Sequence, residues 1–214
     1  MAHAEIANHT PFAHAVLPLA DEQGTPLVVP LLQATFALDE DGSLQWPQEP
    51  SPIEIGGVAW SDDDPQQGWR LEPQTAFVKP GCDVVLHGHA VAPQRGCTRM
   101  LVELSIAGGS AEVRQRAAVF GRRRLIDGSR ITAPEPFERI ALRHVHAFGG
   151  TDRRDADPSR HRADPRNPVG RGFRDPDAAT DPDIELPAIE DPAHLVAGPR
   201  DAPAPIGFGF VPGH

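Results

Sequence analysis

The sequence lacks several features that would define a protein class at once. Its 214 residues include no tyrosine, a single lysine (Lys79) and two cysteines, Cys82 and Cys97. The spacing of the cysteines matches no metal-binding or redox motif, and one pair is a poor disulfide framework. No apolar run reaches the roughly 18 residues of a membrane-spanning helix. The shortage of tyrosine and lysine fits a GC-rich genome and carries little functional weight.

The first residues also lack the signature of a signal peptide. Residues 1–5 show no basic segment followed by an apolar one, which argues against export through a cleaved signal. Together with the low cysteine content, this predicts a cytoplasmic protein that does not enter a membrane.

Charge is unevenly distributed along a chain whose net charge is −10. Residues 1–69 contain 11 acidic residues and no Lys or Arg, whereas residues 95–174 contain 17 Arg against 9 acidic residues. We expect the basic middle to pair internally, the alternative being a patch for an acidic partner. The short run at 122–124 is too small to indicate nucleic-acid binding, and a solvated strand end or a contact with the acidic N-terminal third explains it better.

Residues 1–150 are predicted to form short β-strands. Apolar runs at 27–32 and 34–38 precede a turn at 39–42, and a further strand is predicted over 83–91. Pro30 cannot donate to a ladder, so its strand is expected either to lie at a sheet edge or to be broken there. The clearest hairpin lies between Arg99 and Phe120, with alternating apolar residues, a turn at Gly108-Gly109 and Glu103 facing an arginine across the strands.

The composition changes near residue 150, after which ten prolines fall within residues 152–205. Few helices or central strands tolerate this spacing. Recurrent apolar residues favour an ordered meander over disorder: Phe173, Ile184, Leu186, Ile189, Leu195 and Val196. We therefore predict a mainly β fold, a short-stranded antiparallel sandwich or barrel-like body with a long Pro/Gly-rich C-terminal loop region. Residues 1–214 are assigned to one domain, with the body over about 1–150 and the meander over about 151–214.

Two His-x-His pairs offer an alternative function as a β-scaffold metalloprotein. His87 and His89 form one pair, and His144 and His146 form the other. If each pair lies on a strand, its imidazoles share a face, and two adjacent strands would bring together enough ligands for zinc. However, no acidic residue lies at a typical ligand spacing beside either pair, so no metal and no cofactor are predicted.

Other catalytic signatures are also missing from the sequence. There is no Gly-x-Ser-x-Gly motif, neither cysteine lies in an electropositive motif, and the carboxylates cluster in turns. The Gly-x-Gly pairs at 170–172 and 207–209 lack the strand and helix of a phosphate-binding loop. The sequence thus predicts a binding protein and not an enzyme.

Glycine and proline instead punctuate four segments, at 148–150, 167–173, 186–192 and 205–209. Glycine permits positive φ or close backbone approach, and proline fixes the chain between such points. This pattern is typical of a shaped recognition surface. The candidate partner-binding residues are Phe148, Gly149, Gly150, Asn167, Pro168, Gly170, Gly172 and Phe173.

These segments, in this order, resemble the bacterial family known as domain of unknown function 2169. The resemblance also includes residues 8–12, 34–36 and 79–90, and covers nearly the whole chain. Its most specific motifs are Lys-Pro-Gly-x-Asp-Val, Ala-Phe-Gly-Gly and Asn-Pro-x-Gly-x-Gly. The resemblance implies an adaptor or chaperone of type VI secretion, which binds a toxic effector and helps to load it onto the secretion spike protein. Since the family domain normally continues beyond the position of His214, it also implies a shortened member or an N-terminal part of that domain.

Overall fold

The computed structural model describes residues 7–21, 23–61, 67–74, 84–108, 111–177 and 183–206. Within these ranges the chain forms short β-strands and brief 3-10 turns, with no α-helix. The predicted mainly β class is therefore confirmed. The strands form several small sheets, nearly all antiparallel, and none of the described sheets closes into a barrel. No helix in the described part is long and apolar enough to cross a membrane.

Two compact units divide the chain. Unit 1 comprises Met1–Ala59 and Trp69–Asp83, and unit 2 comprises Trp60–Gly68 and Val84–His214. This division does not coincide with the change in composition near residue 150. The single-domain organisation stays a prediction.

Unit 1 consists of antiparallel strand pairs. Its strands are β1 (Ala13–Ala20), β2 (Pro26–Gln33), β3 (Ala37–Leu38), β4 (Leu44–Gln45), β5 (Val58–Ala59) and β6 (Trp69–Leu71). Each pairs with its neighbour in this order, β1 with β2, β3 with β4 and β5 with β6.

The sequence predictions for the first two hairpins of unit 1 are confirmed for Pro30 and for one turn, but not for the length of one strand. Among the described residues, Pro30 lies opposite Val16 in a two-stranded sheet of β1 and β2, in which each strand has an open edge that tolerates a residue without an N–H group. The edge prediction is confirmed. The turn after β3 is also confirmed, since the Gly42 N–H donates to the Asp39 carbonyl at 2.9 Å. Of the strand expected over 34–38, however, only the last two residues pair.

Unit 2 contains the remaining strands. They are β7 (His89–Val91), β8 (Arg99–Gly108), β9 (Ala111–Phe120), β10 (Arg124–Ile126), β11 (Arg130–Ile131), β12 (Arg139–Ala141), β13 (Phe148–Gly149), β14 (Thr151–Asp152), β15 (Arg162–Ala163), β16 (Arg171–Gly172), β17 (Ile184–Glu185) and β18 (Ile189–Glu190). Two sheets have three strands, in the orders β18-β9-β8 and β11-β10-β17, and the others are pairs. The strand expected over 83–91 is shorter than predicted, because its partner β12 supplies only three residues to the ladder.

The hairpin of β8 and β9 agrees with the sequence prediction. Its register runs without interruption from the pair Arg99–Phe120 to the pair Gly108–Ala111; the predicted turn at Gly109 falls outside the described residues. Glu103 lies opposite Arg116 and accepts a hydrogen bond from its Nε at 2.6 Å. That bond holds the pKa of Glu103 below its ordinary value. The predicted cross-strand pair is confirmed.

The described part of the C-terminal meander contributes to the core of unit 2. Leu186 and Val196 are buried together with Leu125 and Phe148. The prediction that these meander residues act as apolar anchors is therefore mostly confirmed, since Ile189 is buried as well. Leu195 is an exception, with 41% of its surface exposed.

Arginines in the basic middle pair with acidic residues of unit 2. Arg124 lies 3.9 Å from the Asp183 carboxylate, and Arg122 lies 3.9 Å from Glu185. Arg171 contacts Glu185 as well. The prediction of internal pairing is confirmed here, and the partners of the run at 122–124 among the described residues lie between 183 and 190.

Candidate functional site

The eight candidate residues come together around a two-residue parallel ladder. In it, β13 pairs with β16, so that Phe148 lies beside Arg171 and Gly149 beside Gly172. The Phe173 N–H donates to the Gly149 carbonyl at 2.9 Å. This ladder joins two segments that the sequence separates, 148–150 and 167–173. We call the two segments together the frame.

Asn167 is the hydrogen-bonding centre of the frame and has no exposed surface. Its Nδ2 donates to the carbonyls of His144 at 2.8 Å and Phe148 at 3.0 Å. Its own backbone carbonyl accepts from the N–H groups of Gly150 at 2.7 Å and Gly170 at 3.2 Å. Because a side-chain amide offers two donors on one nitrogen, asparagine bonds two carbonyls of the 144–148 segment at once, which an apolar residue could not do.

Gly149 is required by the close approach of the two frame segments. Its φ is 137°, and a Cβ atom there would lie 2.2 Å from the Asn167 carbonyl oxygen. Gly150 repeats the arrangement, with a φ of 108° and a would-be Cβ 2.5 Å from the Gly170 carbonyl oxygen. A side chain at either position would therefore force the segments apart.

Burial divides the candidate residues into two groups. Phe148 is only 2% exposed and packs in the core, and Gly149, Gly150 and Asn167 are also buried. The others are half-buried: Pro168, Gly170, Gly172 and Phe173. The buried group thus acts by holding the frame in shape, and the half-buried group is the part that a partner can reach. The role of these residues in partner binding stays a prediction.

An ion pair between Asp164 and Arg166 lies in the loop that joins the two frame segments. The buried Asp164 carboxylate accepts hydrogen bonds from Arg166, at 2.9 Å from Nε and 2.6 Å from Nη2. The Asp164 N–H donates to the Gly150 carbonyl at 3.0 Å. The bond with Asp164 raises the pKa of Arg166 above its ordinary value. The pair therefore fixes the loop between the two frame segments.

A second ion pair, between Arg123 and Glu190, is almost completely buried. Glu190 also accepts from the Val196 N–H at 2.8 Å. Arg123 donates to the Pro187 carbonyl at 3.0 Å and stacks on the Phe120 ring, 3.9 Å from its centroid. Burial raises the pKa of Glu190, and the Arg123 charge opposes this effect. Sequence reasoning missed this pair, because 67 residues separate its members and both stand among other charged residues.

The histidine pairs are not arranged as the alternative metalloprotein function would require. His144 and His146 lie on a 3-10 turn and not on a strand, since the chain turns after β12 and the Ala147 N–H donates to the His144 carbonyl at 3.1 Å. His89 lies in β7, where its Nδ1 is 3.0 Å from Arg139 Nη2, and His87 precedes the strand. In the described ranges, no cluster of three or more His, Cys, Asp and Glu side chains has the arrangement of a metal site.

His146 nevertheless has a perturbed titration. Burial lowers its pKa to about 4, and the charges of Arg171 and Arg143 act in the same direction. At neutral pH the imidazole is therefore uncharged. Its backbone carbonyl accepts from the Ala188 N–H at 2.8 Å, which ties the turn to the meander.

Comparison with known proteins matches the chain to a bacterial protein family. A family model with the description "Uncharacterized protein conserved in bacteria (DUF2169)" matches residues 23–214. No curated protein and no solved structure matches the chain. The matched range includes the frame, the β8–β9 hairpin and the described meander.

Proposed function

Since the chain belongs to the bacterial family DUF2169, we propose that it is a non-enzymatic adaptor or chaperone that binds a type VI secretion effector and helps to load it onto the secretion spike. The secretion role comes from the motif resemblance. The surface of the protein supports the more general part of the proposal, which is protein binding. We place this action in the cytoplasm, where an effector is held before export.

The observation that carries the proposal is the exposed apolar tip of the β8–β9 hairpin. Ile106 and Val113 lie directly opposite each other, with 37% and 61% of their surfaces exposed. At the base of the hairpin, by contrast, Val119 on the same face is completely buried. Apolar side chains at the exposed end of a strand pair are typical of surfaces that bind protein.

The edges of this hairpin are open to a further strand. Among the described residues, β9 pairs on its outer side with β18 at Val119 and Ala118 only, and β8 has no outer partner. Unpaired N–H and C=O groups along an edge can pair with an extended segment of another protein. An effector segment that adds there would reach the Ile106–Val113 face with alternate side chains.

The opposite face of the hairpin is suited to solvent. Arg114 and Arg116 form ion pairs there with Glu103. Such exposed pairs contribute little stability, but they disfavour burial of that face in an apolar interface. At its tip the hairpin is thus apolar on one side and charged on the other, which directs the partner to the apolar side.

Segments with family-like motifs contact the base of this hairpin. The Phe120 N–H donates to the Ala188 carbonyl at 2.8 Å, and Ala147 bridges to Ile189. The motifs that define the family resemblance therefore lie at the base of the hairpin. A rigid base reduces the entropy that is lost when a partner binds.

Co-expression with the effector encoded beside the gene tests the function. We expect the effector to co-purify and to become more soluble. Val113→Lys should reduce co-purification, whereas Ala107→Lys, which adds the same charge on the opposite face of the tip, should not. If the effector neither co-purifies nor gains solubility with the unmodified protein, the adaptor function is wrong.

A further inference from the structure

Unit 1 has an exposed apolar face of its own, on the hairpin of β3 and β4. Leu38 lies opposite Leu44, and Phe36 and Trp46 occupy the next pair of positions on the same side. All four side chains are between 46% and 73% exposed. We call these residues, Phe36, Leu38, Leu44 and Trp46, the β3–β4 face.

Aromatic contacts hold the face in one arrangement. The ring centroids of Phe36 and Trp46 lie 4.8 Å apart, and those of Phe12 and Trp46 lie 5.5 Å apart. The Trp46 ring is thus supported by two phenyl rings while more than half of its residue surface remains exposed. A tryptophan held in this way presents a preformed surface for stacking.

A cavity of about 290 Å³ adjoins Trp46. Its lining residues are Pro11, Thr35, Trp46, Pro47, Gln48 and Pro50. This volume lies at the lower end of the range for ligand pockets, and suits one or two side chains better than a large cofactor. The proline and tryptophan walls offer apolar contact to an aliphatic chain, and Thr35 and Gln48 offer polar atoms.

The sequence that forms the face carries charges of one sign. Residues 1–69 contain 11 acidic residues and no Lys or Arg. Three of the acids, at 39–41, form the turn that joins β3 to β4, directly beside Leu38 and Leu44, and Glu49 lies between two residues that line the cavity. The apolar face is therefore flanked by negative charges, with no Lys or Arg in this part of the sequence to neutralise them.

We propose that the β3–β4 face docks a positively charged, extended segment of the effector, with an Arg or Lys side chain stacked on Trp46. The aliphatic stems of such residues pack on apolar surface while their charges reach the flanking carboxylates. Anionic lipids and nucleic acids would be repelled by the same carboxylates. The assignment of the effector to this face rests on the proposed adaptor function. The preference of the face for a cationic peptide follows from the residues of unit 1 alone.

Peptide binding to the full chain tests the preference. The probe is a fluorescein-labelled synthetic peptide of about 12 residues that alternates Arg with Val, compared with the same peptide carrying Glu in place of Arg. We expect the Arg peptide to bind, with an affinity that falls as salt rises from about 50 to about 300 mM, and the Glu peptide not to bind. Equal binding of the two peptides would overturn the proposal.

Substitutions then locate the binding. Trp46→Ala should weaken binding of the Arg peptide at least about fivefold, and Glu40→Gln with Glu49→Gln should reduce its salt dependence. Val91→Ser, which removes a similarly exposed apolar side chain from β7 of unit 2, is the matched control and should leave binding unchanged. Circular dichroism of each variant verifies folding. Undiminished binding by a folded Trp46→Ala protein contradicts the proposed site.

The co-expression experiment separates the two proposals. If the effector co-purifies equally well with Trp46→Ala and with the unmodified protein, the adaptor function stands and the docking face is wrong. If the Arg peptide binds through Trp46 but no effector co-purifies, the face stands and the adaptor function is wrong. Sedimentation velocity covers a further outcome, because a dimer abolished by Trp46→Ala would identify a second copy as the occupant and overturn an effector segment.

Discussion

Unit 1 and unit 2 differ in where they place their apolar side chains. Every fully buried hydrophobic residue in the described part of the chain belongs to unit 2, where Leu125, Phe148 and Val119 are examples. In the described part of unit 1, no residue is completely buried, and β2 exposes Val28 and Leu32 as well as its prolines. Unit 2 is therefore held together by its interior, while unit 1 directs much of its apolar surface to the outside.

The difference indicates separate roles for the two units in stability and in binding. A unit with a core, a buried ion pair and a hydrogen-bonded frame keeps its shape without a partner. A unit of strand pairs with exposed apolar faces gains stability from whatever covers them. We infer that substitutions in the core and the frame of unit 2 act mainly on folding, and that substitutions on the exposed faces of unit 1 act mainly on binding.

The largest effect is expected from breaking the buried ion pair of unit 2. Glu190→Ala leaves the Arg123 guanidinium buried without its carboxylate and should lower the free energy of unfolding by about 3–5 kcal/mol. Urea denaturation measures this change. Arg116→Ala, which breaks the exposed pair with Glu103, is the control and should cost less than about 1 kcal/mol. Similar losses for both variants would contradict the importance assigned to the buried pair.

The frame should tolerate a methyl group poorly. Gly149→Ala combines a positive φ with contact between the new Cβ and the Asn167 carbonyl, so we expect a loss of about 3 kcal/mol in the same denaturation experiment. Gly198→Ala is the matched control within unit 2, because its Cβ would meet nothing closer than 3.7 Å. A Gly149→Ala protein as stable as Gly198→Ala would show that the two segments do not approach as described.

A smaller effect should follow pH. The pKa of His146 is lowered to about 4 from 6.5 in the unfolded chain, so the unfolded chain takes up a proton before the folded protein does. Stability is therefore constant with respect to this group above about pH 7 and falls as pH drops from 6.5 towards 4. After allowance for partial exposure of the ring, we expect a loss of about 1 kcal/mol between pH 7 and pH 5.

The pH effect can be assigned to His146 by subtraction. Thermal melts of the unmodified protein and of His146→Gln should differ in slope between pH 7 and pH 5, with the flatter profile in the variant. Asp152 does not interfere, because its pKa is lowered to about 2, mainly by Arg154, and its contribution is lost only below about pH 4. Parallel profiles would mean that His146 is not buried in its neutral form.

The smallest effect on stability is expected on the surface of unit 1. Trp46→Ala and Leu38→Ser should each change the free energy of unfolding by about 0.5 kcal/mol or less, because both side chains are more than half exposed. The same variants are expected to impair peptide binding. A loss of stability comparable with that of Gly149→Ala would show that these exposed side chains of unit 1 stabilise the fold as strongly as the frame of unit 2 does, and would contradict the separate roles of the units.

Local patterns explain what the sequence predicted well. The β8–β9 hairpin combines alternation, a glycine turn and the Glu103–Arg116 pair within about twenty residues, so its register follows from neighbouring positions. The His-x-His prediction shows the opposite case. A two-residue spacing fits a strand, but nothing in the pattern indicates that the chain turns after β12 and places His144 and His146 on a 3-10 turn.

The sequence identified the segments that form the candidate site, but not the contacts that bring them together. Glycine and proline marked the two frame segments, yet the hydrogen bonds of Asn167 reach residues 19 and 23 positions away. The burial of Phe148 and the pairing of Arg123 with Glu190 likewise depend on contacts distant in sequence. Such contacts leave no periodicity, because either residue alone has the composition of an ordinary loop or strand end.

The pairing of β18 with β9 also has a consequence for the order of folding. The β8–β9 hairpin requires only contacts between neighbours in sequence, so we expect it to form early, both in refolding and during synthesis. The base of the hairpin pairs with β18 only after residues 189 and 190 have been synthesised and have folded onto it, and these lie some seventy positions after Val119 and Ala118. Until then Arg123 stays in water and the apolar base of the hairpin remains uncovered. A newly made chain would therefore pass through a stage in which the hairpin exists but is not yet anchored, and this is when it would be most prone to associate with the wrong partner.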